Sequence, residues 1–175
     1  MNDLVVVGRD QFYITRFTWF RSFVWIRLSH WLHIPEGAIL FYDGDQVMRA
    51  LPDSYFLLNG INASPDKKTI YVAELGTKII HALQRDDKLT TTWYVDSAVD
   101  NIEVNQETGD LWIGSHPVLR IKLRGGVMTS LEEIYADDGD ELTASTVAAY
   151  GAGKVFIGSL FTQTVVCDVK YLTKN

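Results

Sequence analysis

Asn59 and Asn101 each open a short alternating strand. The same phrase follows both: N-G-I-N-A-S-P-D with Y-V-A-E behind it over 59–74, and D-N-I-E-V-N-Q-E-T-G-D-L-W-I-G-S-H-P over 100–117. A carboxamide starts the strand, a Pro-Asp or Thr-Gly-Asp turn reverses it, and an aromatic-centred strand ending in a small residue returns. If such units stand side by side, equivalent side chains meet near a shared axis. Two or three carboxamide and carboxylate oxygens converging there make a hard, oxygen-lined site, and calcium is the metal that suits it.

The interval from Asn59 to Asn101, roughly 40 residues, belongs to four-stranded propeller blades rather than to helical solenoids. The same phase recurs twice more. Downstream, Ser145-Thr146-Val147 lead through the Gly151-Ala152-Gly153 turn into Val155-Phe156-Ile157-Gly158, and Phe156 follows Ser145 at the interval at which Trp112 follows Asn101. Upstream the match is looser. Residues 1–8 form the inner strand, Arg9-Asp10 the turn and residues 11–15 the returning strand, with Asn2 in the place of Asn59 and Asn101. The fold class expected is all-β, a partial β-propeller of about three to four blades forming one domain over residues 1–175. A ring left open exposes a sheet edge at each end, which invites association with a second copy.

These residues resemble the paraoxonases, calcium-dependent arylesterases and lactonases built on a six-bladed propeller. The resemblance rests on M-N-D-L-V-V-V-G at 1–8, L-N-G-I-N-A-S-P-D at 58–66, V-D-N-I at 99–102, E-T-G-D-L-W-I-G-S-H-P at 107–117 and S-T-V-A at 145–148. Strictosidine-synthase-like and gluconolactonase-like propellers carry relatives of N-G-I-x-x-S-P-D. V-D-N-I followed by G-D-L-W-I-G-S-H-P is the discriminating piece. The chain resembles the carboxy-terminal half of the family.

What the resemblance implies is specific. Asn2, Asn59, Asp100 and Asn101 would give side-chain oxygens to a catalytic calcium, and Asp3 would belong to a second, structural one. His116 would line the substrate pocket and is the one catalytic candidate. Leu57, Leu75, Thr146 and Leu160 match or adjoin positions of the pocket wall, where an apolar acyl or aryl group of a small ester or lactone would sit. The family takes an acidic ligand and a histidine pair from its other half, and His30, His33 and His81 lie outside the matching motifs. Truncation to an inactive binding or dimerising module is therefore the competing expectation. Singly, Asn59 and Asn101 also read as turn residues bonding local backbone, and His116 as a loop histidine. Asp66, Glu107 and Asp110 are expected to be solvated turn residues without chemistry.

One segment breaks the pattern. The aromatic insert over 16–33 holds three of the five tryptophans and arginines at 16, 21 and 27, and it explains why Asn2 and Asn59 stand farther apart than Asn59 and Asn101. Arginines so placed exclude a membrane span and leave a helical insert. The resemblance puts here a helix that covers the active site and touches lipid or lipoprotein surfaces; packing of Trp19, Trp25 and Trp31 on the propeller is the alternative.

Composition sets the outer bounds. With 47% hydrophobic residues and four prolines, the chain can bury a real core, and a net charge of −6 without a basic stripe argues against a nucleic-acid partner. Cys167 is alone in the sequence. The resemblance pairs it with a cysteine near the amino terminus of relatives. No leader with a basic start and apolar core opens the chain, whereas the family is extracellular or membrane-associated. Asn62-Ala63-Ser64 is a glycosylation sequon.

Overall fold

A computed structural model describes residues 1–20, 22–86 and 90–169. Arg21 of the expected insert, and residues 87–89 and 170–175 of the expected domain, lie outside the described residues. The chain folds as four consecutive antiparallel sheets. The first contains β1 (Leu4–Gly8), β2 (Gln11–Arg16), β3 (Ala38–Tyr42) and β4 (Val47–Arg49), in that order; the helix α1 (Phe23–Trp31) is inserted between β2 and β3. The second runs β5 (Leu58–Ala63), β6 (Thr69–Glu74), β7 (Ile79–Gln84) and β8 (Thr90–Tyr94). The third runs β9 (Ile102–Val104), β10 (Leu111–Ile113), β11 (Val118–Arg124) and β12 (Val127–Tyr135). The fourth has three strands, β13 (Ser145–Gly151), β14 (Lys154–Ser159) and β15 (Val165–Asp168). This is the blade order expected of a partial propeller.

Burial separates inner sheets from outer ones. Every residue of β6 is buried, because the second sheet is covered on both faces. Leu4 and Val6 of β1 are exposed while Val5 and Val7 are buried, the alternation of a sheet covered on one face only. Three apolar clusters fill the gaps between neighbouring sheets: Val5, Ile39, Leu58 and Ile70 in the first, Tyr71, Ile80, Leu111 and Ile121 in the second, and Trp112, Leu142, Ala148 and Ile157 in the third. Trp112 and Tyr150 stack across the last gap at 4.8 Å and 5°.

The helix occupies only part of the insert. It is limited to Phe23–Trp31, since Arg16 still belongs to β2 and residues after Trp31 turn out of the helix. Ser29 is the only helical residue that is buried, and Trp19, Trp25 and Trp31 are 64%, 55% and 76% exposed. The tryptophans therefore do not pack on the sheets. Cys167 lies free on β15.

Candidate active site

Hydrogen bonds tie the starts of the inner strands into one seam. The Thr15 hydroxyl donates to the Asn59 carbonyl at 2.6 Å and receives the Asp3 amide at 3.1 Å, joining the first sheet to the second. The Gly60 amide donates to the Asp100 carbonyl at 3.1 Å, joining second to third. Asn101 donates both its amide and its Nδ2 to the Thr146 carbonyl, each at 3.0 Å, joining third to fourth. Asp3, Asn59, Asp100, Asn101 and Thr146 are thereby strung along successive sheets, with Asn2 beside them through its amide bond to the Thr15 carbonyl. A Cβ on Gly114 would lie 2.1 Å from the Thr146 carbonyl, so the third and fourth sheets meet only because that residue has no side chain.

One detail of register departs from expectation. Asn2 N to Thr15 O and Thr15 N to Asp3 O repeat as Asp100 N to Gly114 O and Gly114 N to Asn101 O. In both sheets one residue of the returning strand thus bonds two successive residues of the inner strand, which gives the two sheets the same phase. Asn2-Asp3 therefore corresponds to Asp100-Asn101, and Asp3, not Asn2, takes Asn101's place.

Charge at the seam is poorly compensated. Asp100 is half-buried, burial alone pushes its carboxyl up to about 6, and among the described residues its carboxylate accepts no hydrogen bond and meets no cation. The Asn2 and Asn59 carboxamides likewise bond to nothing among the described residues, although Asn59 is only 7% exposed. Asn101 uses its Nδ2 and keeps Oδ1. Asp3 accepts the Leu4 amide at 2.8 Å and the Ile61 amide at 3.0 Å, one per oxygen, and each oxygen retains a lone pair. It shares a cleft of about 320 Å³ with Asn101 and Glu103, and burial, followed by the charge of Asp3, raises the Glu103 pKa. No cluster of three His, Cys, Asp or Glu side chains placed to hold a metal occurs among the described residues. Any metal at the seam must therefore lean on carboxamides. Neutral oxygens with one uncompensated carboxylate fit a hard cation such as calcium.

Two of the wall candidates, Leu75 and Leu160, share one structural position with His116. Tyr71, Trp112 and Phe156 face Asn62, Glu103 and Ala149 of their inner strands, and Leu75, His116 and Leu160 follow them at one constant offset in sequence. Leu75 donates its amide to Leu57 at 3.1 Å; in the fourth sheet Leu160 donates to Ala144 at 3.2 Å. Leu57 (φ 59) and Ala144 (φ 56) both sit in the left-handed region, an outlying conformation for a residue as bulky as leucine. Leu57 is buried, Leu75 and Thr146 are half-buried, and Leu160 is exposed.

Three partnerships were not legible in the sequence. His116, largely exposed, has Nε2 3.9 Å from Asp137 Oδ1, and Asp137 is held by the Gly139 and Leu142 amides and the Tyr135 hydroxyl. Glu74 and His81 form a buried pair at 2.7 Å. Asp110, expected to be solvated, is buried and accepts Arg120 Nε at 3.1 Å and Nη2 at 2.5 Å; the returning strand beyond the turn brings the guanidinium over it. Asp66 and Glu107 are exposed, as expected. Asn62 spends its Nδ2 on the Ile102 carbonyl at 3.0 Å and on Glu103 at 3.3 Å, so a glycan on that nitrogen would break a tie between sheets.

Residues 1–125 match the family described as Arylesterase. Serum paraoxonase/arylesterase 2 of Gallus gallus is 31% identical over 97% of this chain and 53% of its own length. Serum paraoxonase/lactonase 3 of Oryctolagus cuniculus is 32% identical over 95% of this chain and 53% of its own. The chain spans about half the length of the curated relatives it matches. Among solved structures, a gluconolactonase from Xanthomonas campestris aligns with a TM-score of 0.58 at 18% identity, covering 90% of this chain and 53% of the other.

Proposed function

This chain belongs to the arylesterase family, and from that premise we propose that it carries the calcium-binding seam and part of the pocket of a hydrolase acting on aryl esters and lactones. The observation that carries the proposal is the half-buried, uncompensated Asp100 carboxylate on a hydrogen-bonded line with Asn59 and Asn101. Asn2, Asn59, Asp100 and Asn101 would hold the metal, and Asp3 would serve a second cation. Calcium bound there would supply the positive charge that polarises the substrate carbonyl and stabilises the developing oxyanion.

The chain's own residues contribute around that centre. Leu57 and Leu75 form an apolar wall that orients the acyl or aryl group and excludes water from it. Thr146, and Leu160 in the fourth sheet, extend this wall. His116, beside Asp137, accepts the proton as the water oxygen bonds to the carbonyl carbon; that proton passes to the alcohol or phenol as its C–O bond breaks. The test is hydrolysis of phenyl acetate and a simple lactone with calcium, with chelator, and with calcium restored. Activity that tracks calcium supports the reading, and activity indifferent to chelator overturns it.

Helix α1 favours a lipid or lipoprotein surface as a further partner, and with the serum relatives it supports an extracellular or membrane-associated setting. No helix among the described residues is long and apolar enough to cross a membrane. A second reading, a binding or dimerising module, is favoured by Leu4 and Val6 on the first sheet and Phe156 and Val166 on the last, which are apolar and exposed. Sedimentation of the chain over a range of concentrations tests it: a purely monomeric species removes the dimerising form.

A further inference from the structure

Glu74 ends β6, and His81, which faces Val72 from β7, reaches it diagonally. Their side chains are 7% and 8% exposed, and His81 Nε2 lies 2.7 Å from Glu74 Oε2. The other carboxylate oxygen, Oε1, accepts the Phe56 amide at 2.5 Å, and the Thr77 hydroxyl also bonds to this carboxylate. Burial opposes ionisation of Glu74, but these hydrogen bonds outweigh it and its pKa is lowered. The Tyr55 ring stands edge-on to His81 at 5.1 Å.

Those contacts bear on the pocket wall because of what lies next to them. The Phe56 carbonyl accepts the Gly76 amide at 3.2 Å and the Leu57 carbonyl accepts the Leu75 amide at 3.1 Å. Residues 56–57 are thus clipped to residues 74–76 by three hydrogen bonds, one of them to the carboxylate. The Phe56 ring covers Gly76, where a Cβ would lie 2.1 Å from Phe56 Cδ1, and the rings of His30 and His33 flank it at 5.7 and 5.3 Å. Leu57, held at φ 59, has no intrinsic reason to keep that conformation once the clip is released.

The position has counterparts. In the third and fourth sheets it is Ser115 and Ser159: Ser115 donates to Pro117 O at 2.6 Å within its own loop, and Ser159 donates to Thr143 O at 2.5 Å while accepting the Phe161 and Thr162 amides and the Thr162 hydroxyl. In the fourth sheet a hydroxyl therefore suffices to tether the preceding loop. Placing a buried carboxylate in the second sheet, and offsetting it with histidine, is an added device at the one sheet whose loop presents Leu57 and Leu75. We propose that Glu74, locked by His81, is a positioning residue that sets the Leu57–Leu75 wall and so determines the size of apolar group the site accepts.

This rests on Leu57 and Leu75 being the wall of the proposed site, and the experiment separates the two claims. Phenyl acetate, butyrate and octanoate are compared by kcat and KM in the wild type, Glu74→Gln and the double variant Glu74→Ser/His81→Leu, which removes both partners and leaves no orphaned charge. In the double variant the ratio of KM for octanoate to KM for acetate shifts by roughly fivefold or more while calcium affinity is retained; Glu74→Gln, which keeps the acceptor for the Phe56 amide, restores most of the ratio. An unchanged ratio, or one that Glu74→Gln fails to restore, overturns the proposal. Binding of 4-alkylphenols of increasing length is read by NMR in the same proteins. Absence of hydrolysis would remove the enzymatic reading, and the chain-length dependence of alkylphenol binding would still decide this one. Should the double variant not fold, Glu74→Gln and His81→Gln are compared, and equal chain-length preference in both and in wild type overturns it.

Discussion

A Cβ built on Gly60 falls 2.5 Å from the Asn101 Cα and 2.7 Å from the Asp100 carbonyl oxygen. The inner strands of the second and third sheets are therefore in backbone contact where the proposed ligands sit. Gly60→Ala must push them apart, and overpacking of this kind costs roughly 1–3 kcal/mol. The Gly60 amide bond to Asp100 goes with it. Urea denaturation should show a lower midpoint, and calorimetry a calcium affinity reduced by more than in Gly151→Ala, whose Cβ meets nothing and whose backbone is not left-handed. Equal affinities in the two variants would detach the metal from the seam.

Asp100 gives the sharpest dependence on pH. Its folded pKa of about 6 lies above the ordinary 3.8, so between those values the folded chain holds a proton that the unfolded chain has lost. The stability this group confers without metal is present below about 4, declines as pH rises to about 6 and stays lost above it. In chelator at pH 7.5, Asp100→Asn should be more stable than wild type by thermal melting; in saturating calcium the order reverses. Protons and calcium compete for one carboxylate, so affinity weakens below about pH 6. A single formal charge among the four proposed ligands also implies binding weaker than about micromolar, and Asp100→Asn lowers it a further roughly ten- to a hundredfold.

Asp110 and Arg120 test a stabilising role that the local sequence hides. Both are buried, and Asp110 takes two hydrogen bonds from the guanidinium; Arg120 keeps Glu132 at 3.6 Å when Asp110 is changed, so the cost falls below the roughly 3–5 kcal/mol of a fully uncompensated buried charge. Asp110→Asn should still destabilise more than Glu107→Gln, whose side chain is exposed. Asp110→Leu with Arg120→Met should recover much of the loss by chemical denaturation. A loss in Asp110→Asn no larger than in Glu107→Gln would mean that the pair contributes little.

Strand order and sheet number were legible because they follow from short-range chemistry. A polar strand opener, a turn and a ring residue recur at near-constant offsets around Asn59, Asn101 and Ser145, and each offset is a hairpin of similar length. The seam was legible as a set of residue types but not as a set of bonds. Thr15 looks like any strand threonine until the second sheet brings Asn59 to its hydroxyl. Asp110, Asp137 and Glu74 were opaque for a related reason. Each is paired with a residue beyond a turn, Arg120, His116 and His81, and only the folding back of the chain places them together. The extent of the helix was not legible because aromatic residues run on across its start, from Phe17, Trp19 and Phe20 into Phe23 and Trp25.

The exposed helix yields the last prediction. Arg16 lies 3.2 Å beneath the Trp19 ring, and Phe20 and Trp25 stack at 6.1 Å, so the aromatic residues contact one another rather than the core. Trp25 and Trp31 can be changed to serine with less than about 0.5 kcal/mol of lost stability, as expected for surface positions. If the helix docks on lipid, the same changes remove buried aromatic area at the interface and weaken binding to liposomes, and the wild-type tryptophan emission shifts to the blue when vesicles are added. Interfacial binding by apolar residues persists at high salt, whereas attraction through Arg27 alone would be screened away. Pelleting that salt abolishes, or that survives loss of both tryptophans, would assign the interaction to charge and leave the apolar face without a role in docking.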